Sequence, residues 1–318
     1  MTRDQLVAGA DPVSAAWIDL CDPSPAECAQ IEADYGITLP SADALREIET
    51  SSRLRAVGDT LVMTAPLLTR DPAFPATEER WMIVPTGFIL TPRVLVTIHY
   101  APLAPLTSVA QAIGPTHSDS PAGLLLHVLE EVIDRAADQL EMVSEQISAI
   151  SRRIFYGEIE RQGLQRETAL LRRAIMRLGR AYDRSARVRF MFLSIGRMAG
   201  FLAQRGKDRL DAGLEARLHT IINDITSLDE FEASLSARIQ FLQDAATSLV
   251  NIEQNDVVKV LTVASVAGIP PVLVVGIYGM NFQHMPELSW QMGYPMALAL
   301  CLITTLVPFV WFKWRKWL

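Results

Sequence analysis

Two apolar runs near the C-terminal end constrain this chain more than any other feature. Val257 to Tyr278, "VVKVLTVASVAGIPPVLVVGIY", has 22 residues and a single charge, Lys259. Tyr294 to Phe312, "YPMALALCLITTLVPFVWF", has 19 residues and no charge. At about 1.5 Å per residue, each makes a helix long enough to cross about 30 Å of hydrocarbon. The expectation is two transmembrane helices joined by a short loop. That loop, 282–293, has no lysine or arginine, whereas the tail holds Lys313, Arg315 and Lys316. The positive-inside rule puts the loop outside and the tail in the cytoplasm, with Trp311, Trp314 and Trp317 as an interfacial belt. "MTRDQLVAGADP" is too polar for a signal peptide, so the N-terminus is also expected in the cytoplasm. A plasma (bacterial inner) membrane protein crossing twice is the implied location.

Charge divides the chain in the same place. Residues 1–256 carry 25 basic and 35 acidic side chains, against four basic and one acidic from 257 onward. An acidic soluble part argues against nucleic acid as a partner. Cys21, Cys28 and Cys301 suit neither a disulfide framework nor a zinc site. His99, His117, His127, His219 and His284 are scattered, with no nucleophile-and-base arrangement and no Walker motif. No enzyme and no cofactor are expected.

Residues 1–118 read as an α/β domain. "AAWIDL", "TLVMTAPLL", "WMIVPTGFIL" and "RVLVTIHY" are strand-like runs. "SPAECAQIEADYG" has a serine cap, an early proline and a terminal glycine, and "SADALREIETSSR" reads as a second helix. From 119 to 256 the spacing is helical, with no proline between Pro121 and Pro270. Two long amphipathic helices are expected there, followed by a third that starts near Asp211. That third helix runs as a stalk straight into the first span, roughly 100 Å in all. The last division, 257–318, is the membrane hairpin.

In and just before the first span, Asn255, Thr262, Ser265, Gly268, Val272 and Gly276 fall on one stripe. Small, weakly polar residues suit close helix packing or the wall of a narrow pore. Two spans enclose no pore, so conduction requires an oligomer with the first spans around the axis. Neither span contains a carboxylate, so a divalent cation would pass largely hydrated, touched by amide or carbonyl oxygen. Asn281, repeated around an axis, is such a ring, and Leu261 and Ile269 are candidate apolar constrictions. Pro270 and Pro271 are expected to interrupt the helix ladder.

"YGMNF", Tyr278 to Phe282, followed by "MPEL", Met285 to Leu288, resembles the signature of the CorA magnesium transporter family. "WIDLCDPSPAE" and "FILTPRVLVTIHY" are similar to its cytoplasmic domain, so the resemblance covers essentially the whole chain. It implies a funnel-shaped homopentamer with the first spans around the pore. It also implies that Gly279, Met280 and Asn281 form the outer selectivity site, with hydrated Mg2+ on Asn281. Asn255, Leu261 and Ile269 fall on the family's pore-lining positions, and Val272 stands where threonine is common. Asp244 falls on an aspartate that binds regulatory magnesium, and Glu287 belongs to a carboxylate ring attracting cations to the mouth. The function implied is passive entry of Mg2+, with Co2+ or Ni2+ as further cargo, closed by cytoplasmic Mg2+. A zinc transporter of the same superfamily is the alternative, and His284 near Glu287 offers zinc two isolated ligands. A membrane-anchored sensor or scaffold is the reading from another class.

Overall fold

The computed structural model describes residues 6–7, 16–47, 49, 53–74, 80–113, 120–155, 164–281 and 285–315; at 6–7, 164–168, 287 and 288 it describes backbone only. Among these residues six strands form one sheet: β1 (Leu6–Val7), β2 (Trp17–Cys21), β3 (Leu54–Val57), β4 (Thr60–Arg70), β5 (Trp81–Leu90) and β6 (Leu95–His99). The spatial order is β1-β2-β6-β5-β4-β3. β2 pairs parallel with β6, and the other pairs are antiparallel. The parallel pair is pinned by Trp17, whose Nε1 donates to Thr97 Oγ1 at 3.0 Å.

β4 is buried continuously from Leu61 to Thr69, which explains why its sequence is largely apolar on both faces, Thr64 and Thr69 apart, rather than alternating. Pro66 lies opposite Pro85 in the β4–β5 ladder. Neither position is alongside β3 or β6, so the missing N–H groups remove no bond to those strands.

Between β2 and β3 lie α1 (Pro25–Tyr35) and α2 (Ala42–Arg46). α1 starts with a capping box: Ser24 Oγ accepts from Glu27 N, and Glu27 Oε2 accepts from Ser24 N. It ends at Gly36 in the left-handed region, φ 64°. α2 is much shorter than the helix expected over "SADALREIETSSR". Glu47 turns to ψ 140°, and β3, absent from the sequence reading, begins at Leu54. The buried Leu45 docks α2 on the sheet beside Gly87 of β5, and the chain then turns away to pair with β4. A further helix not anticipated, α3 (Ala104–Ala112), follows β6.

Three long helices follow: α4 (Pro121–Phe155), α5 (Leu164–Arg205) and α6 (Ala212–Tyr278, 67 residues). The chain divides into two compact units, one of residues 1–158 with 176–242, the other of 159–175 with 243–318. In the first unit α6 runs parallel to α4, with Arg217 forked onto Glu130 at 2.6 and 3.0 Å and Phe155 stacked on Phe241. α5 runs antiparallel to α6: Ser185 meets Glu232 at 2.8 Å, and Arg189, one turn later on α5, lies 3.5 Å from Asp229, three residues earlier on α6. The turn between α5 and α6 is held to the sheet by Arg209, which donates to the carbonyls of Leu90 and Asp59.

In the second unit α6 continues to Tyr278, and α7 (Gly293–Trp314) returns beside it. The expected interruption at Pro270 and Pro271 is confined to the hydrogen-bond ladder and does not end the helix. Each proline deletes a ladder bond, but α6 stays helical through both. Both apolar segments meet the length and hydropathy of a membrane span, and only 11% and 6% of their apolar windows are buried within the chain. A soluble core helix would be mostly covered.

Candidate ion-path site

Within the span, burial falls on one side of α6. Val263 and Ala267 are 4% and 7% exposed, and the Pro271 carbonyl on that side lies 3.8 Å from Cys301 Sγ of α7. At about 100° per residue, the stripe singled out by spacing lies on the opposite side. Leu261, Ile269 and Val272 are 66%, 58% and 70% exposed, and Asn255, Gly268 and Gly276 are exposed with them. Thr262 and Ser265 are half-buried at the same face. The hairpin thus packs through one face of α6 and leaves the stripe uncovered.

α6 ends in a tight turn that sets the next three residues. Gly279 N donates to Val275 O at 2.9 Å, and Met280 N to Ile277 O at 3.2 Å. A Cβ on Gly279 would come within 3.0 Å of Val275 O, so the turn has little room for a side chain there. Met280 is half exposed, and Asn281 stands exposed immediately past the helix end. Its carboxamide is neutral, and its carbonyl oxygen can accept hydrogen bonds from the water shell of a cation.

The loop then forms a short turn of 3-10 helix, Pro286–Ser289, closed by Ser289 Oγ donating to Pro286 O. Glu287 sits in this turn by backbone, and its side chain lies outside the described residues, as does all of His284. Among the described residues no group of three histidine, cysteine or acidic side chains is gathered for a metal. Asp244 is exposed on α6 and makes no ion pair among the described residues. Just past the end of α7, Arg315 lies over the Trp311 ring at 5.7 Å, two residues on from Lys313, while Lys316 and Trp317 lie outside the described residues.

One contact beside the stripe was missed in the sequence. Lys259 Nζ donates to Asp256 Oδ1 at 2.8 Å. The i, i+3 spacing of opposite charges on a helix was the available signal.

Comparison with known proteins agrees with this architecture. Residues 14–314 match the family described as CorA-like Mg2+ transporter protein. The magnesium transport protein CorA of Yersinia pseudotuberculosis is 32% identical over 320 residues, spanning 100% of this chain and 96% of that protein. The complete structure of the CorA magnesium transporter from Methanocaldococcus jannaschii superposes with a TM-score of 0.72 at 18% identity, covering 95% of this chain and 91% of the other. Full-length CmaX superposes with a TM-score of 0.68 at 18% identity, covering 100% and 93%. With an α/β sheet domain, a long helix leading into an apolar hairpin, and a match from residue 14 to residue 314, this chain belongs to the CorA-like Mg2+ transporter family.

Proposed function

We propose that this chain carries Mg2+ passively into the cytoplasm, as a homopentamer whose first spans surround the path. The observation that carries the reading is the two-sided character of α6. One face is taken by α7, and the opposite face bears the weakly polar stripe uncovered. Repeating that face around an axis builds a narrow wall without charge, which a hydrated divalent cation can pass. Asn281 forms the outer ring with Gly279 and Met280, and Glu287 draws cations to the mouth. Leu261 and Ile269 are the apolar constrictions, Asn255 and Gly276 line the two ends, and Val272 lines the middle. Asp244 senses cytoplasmic Mg2+ and favours closure.

The loop faces outward and both termini face the cytoplasm, a reading supported by Lys313, Arg315 and Lys316 at the C-terminal end of α7 and by the loop's lack of basic residues. Residues 1–118, 119–256 and 257–318 act as sheet domain, stalk and pore. The membrane potential supplies about 4.6 kcal/mol per 100 mV for a divalent ion, so no nucleotide is needed. Co2+ or Ni2+ is further cargo on this reading.

The test is ion entry into liposomes containing the purified protein, with a magnesium-sensitive dye inside and zinc entry followed in parallel. Potential-driven Mg2+ entry that disappears in Asn281→Ala supports the reading. Zinc entry without Mg2+ entry moves the chain to a zinc-transporting branch. Flux of neither ion at low internal Mg2+ would leave a membrane-anchored sensor.

A further inference from the structure

The single charge of the first span is not free. Lys259 Nζ donates to Asp256 Oδ1 at 2.8 Å, and both side chains are about half exposed. The pair shares one open groove of about 400 Å³ with Ile252, Asn255, Val258 and Thr262. Asn255 and Thr262 belong to the stripe, so a lysine borders the inner end of the face assigned to the ion path. A fixed positive charge there opposes cation passage.

The pairing decides where that charge sits. At about 100° per residue, Asp256 lies on the side of α6 away from the stripe, and Lys259 lies between Asp256 and Asn255. Lysine has a flexible four-carbon stem and seeks either a counter-charge or water. With Asp256 present, the ammonium is drawn away from Asn255 and Thr262. With Asp256 gone, the stem is free to swing across them. In a ring of copies the effect multiplies, because each subunit brings one ammonium to the same narrow level. Ionisable groups at membrane depth are costly enough that a specific partner is the expected arrangement.

We propose that Asp256 is a positioning residue for ion passage, holding the Lys259 ammonium on the flank of α6 and out of the cation path. The role rests on the channel reading above. A pair that only anchors the helix at the membrane boundary, with Lys259 reaching lipid phosphates, would predict no effect of Asp256 on flux.

The experiment compares Mg2+ entry into liposomes for the wild type, Asp256→Asn, Asp256→Glu, and Asp256→Asn combined with Lys259→Gln. Matched elution of the assembled proteins controls for folding. The expected result is a loss of roughly tenfold in Asp256→Asn, the scale on which local charge changes cation encounter. Asp256→Glu keeps most of the flux, and the double variant recovers to within about twofold of wild type. The Asp256→Asn loss also shrinks in high salt, where an exposed ammonium is screened. Wild-type flux in Asp256→Asn overturns the proposal, and so does a double variant as slow as the single one. Absence of Mg2+ entry in the wild type removes the channel reading itself, and this role with it.

Discussion

Ser185 on α5 donates a hydrogen bond of 2.8 Å to Glu232 on α6, and both residues are sealed from solvent, at 0% and 1% exposure. Glu232 also accepts from Ser236 at 2.6 Å, and its other oxygen lies 3.4 Å from Arg189. A buried carboxylate with partners on two helices fixes their register, because a slide of one turn strips it of hydrogen bonds. Glu232→Ala is expected to lower stability by about 3 kcal/mol, near the bottom of the range for breaking a buried pair because Arg189 is half exposed. Glu232→Gln keeps an acceptor for the serines and falls between the two. Thermal melting followed by circular dichroism checks the order, and an alanine variant melting with the wild type would refute it.

Gly87 faces a different limit. A Cβ there would stand 2.7 Å from Ile98 Cγ2, 3.0 Å from Leu45 Cδ2 and 3.1 Å from Pro40 Cγ. Three rigidly packed neighbours have no space to give, so Gly87→Ala is expected to cost about 1–3 kcal/mol through overpacking. Combining it with Leu45→Ala relieves part of the clash. A double variant whose loss equals the sum of the two single losses would rule out this coupling.

Asp134 on α4 makes stability depend on pH. Partial burial, and then the charges of Glu131, Asp138, Glu130 and Asp224, push its carboxyl above the ordinary value. The folded chain therefore holds this proton more tightly than the unfolded chain. The associated stability is fully present below the unfolded carboxyl value of about 3.9 and is lost as pH rises through the folded value. Asp134→Asn mimics the neutral form, so it should raise the melting temperature at neutral pH and give no gain near pH 3.5. The site is exposed, so the gain is modest, about 0.5 kcal/mol. A gain that persists undiminished in acid would exclude this cause.

Ile269, proposed above as an apolar constriction, is 58% exposed on the uncovered face of α6 and is open to test. An apolar ring closes a path by expelling water, and a polar side chain at the same level wets it. Ile269→Asn is expected to raise Mg2+ leak at high internal Mg2+ roughly tenfold, with little change when internal Mg2+ is low. Equal flux from variant and wild type under both conditions would show that Ile269 does not gate.

The long elements were legible for a physical reason. α4, α5 and α6 each repeat their apolar positions at helical spacing over more than thirty residues, so local signal accumulates. α1 carries its own start and stop in Ser24, Pro25 and Gly36. The short edge pieces carried no such signal. β3 pairs on one side only and is largely exposed, so its four residues show no alternation, and α2 ends where docking of Leu45 is complete. The order β1-β2-β6-β5-β4-β3 depends on pairings between distant segments and left no local trace.

At the candidate site the division is similar. Sequence by itself determined that 257–278 and 294–312 are long and apolar enough to span a membrane, because hydrocarbon asks only for length and the absence of charge. It also determined the stripe, since spacing along a helix fixes which residues share a face. Only the tertiary structure decided that Val263 and Ala267 are covered while Leu261, Ile269 and Val272 are open. It alone paired Glu232 with a serine 47 positions away. Burial of a side chain is set by what arrives from elsewhere in the chain, and no local pattern encodes that arrival.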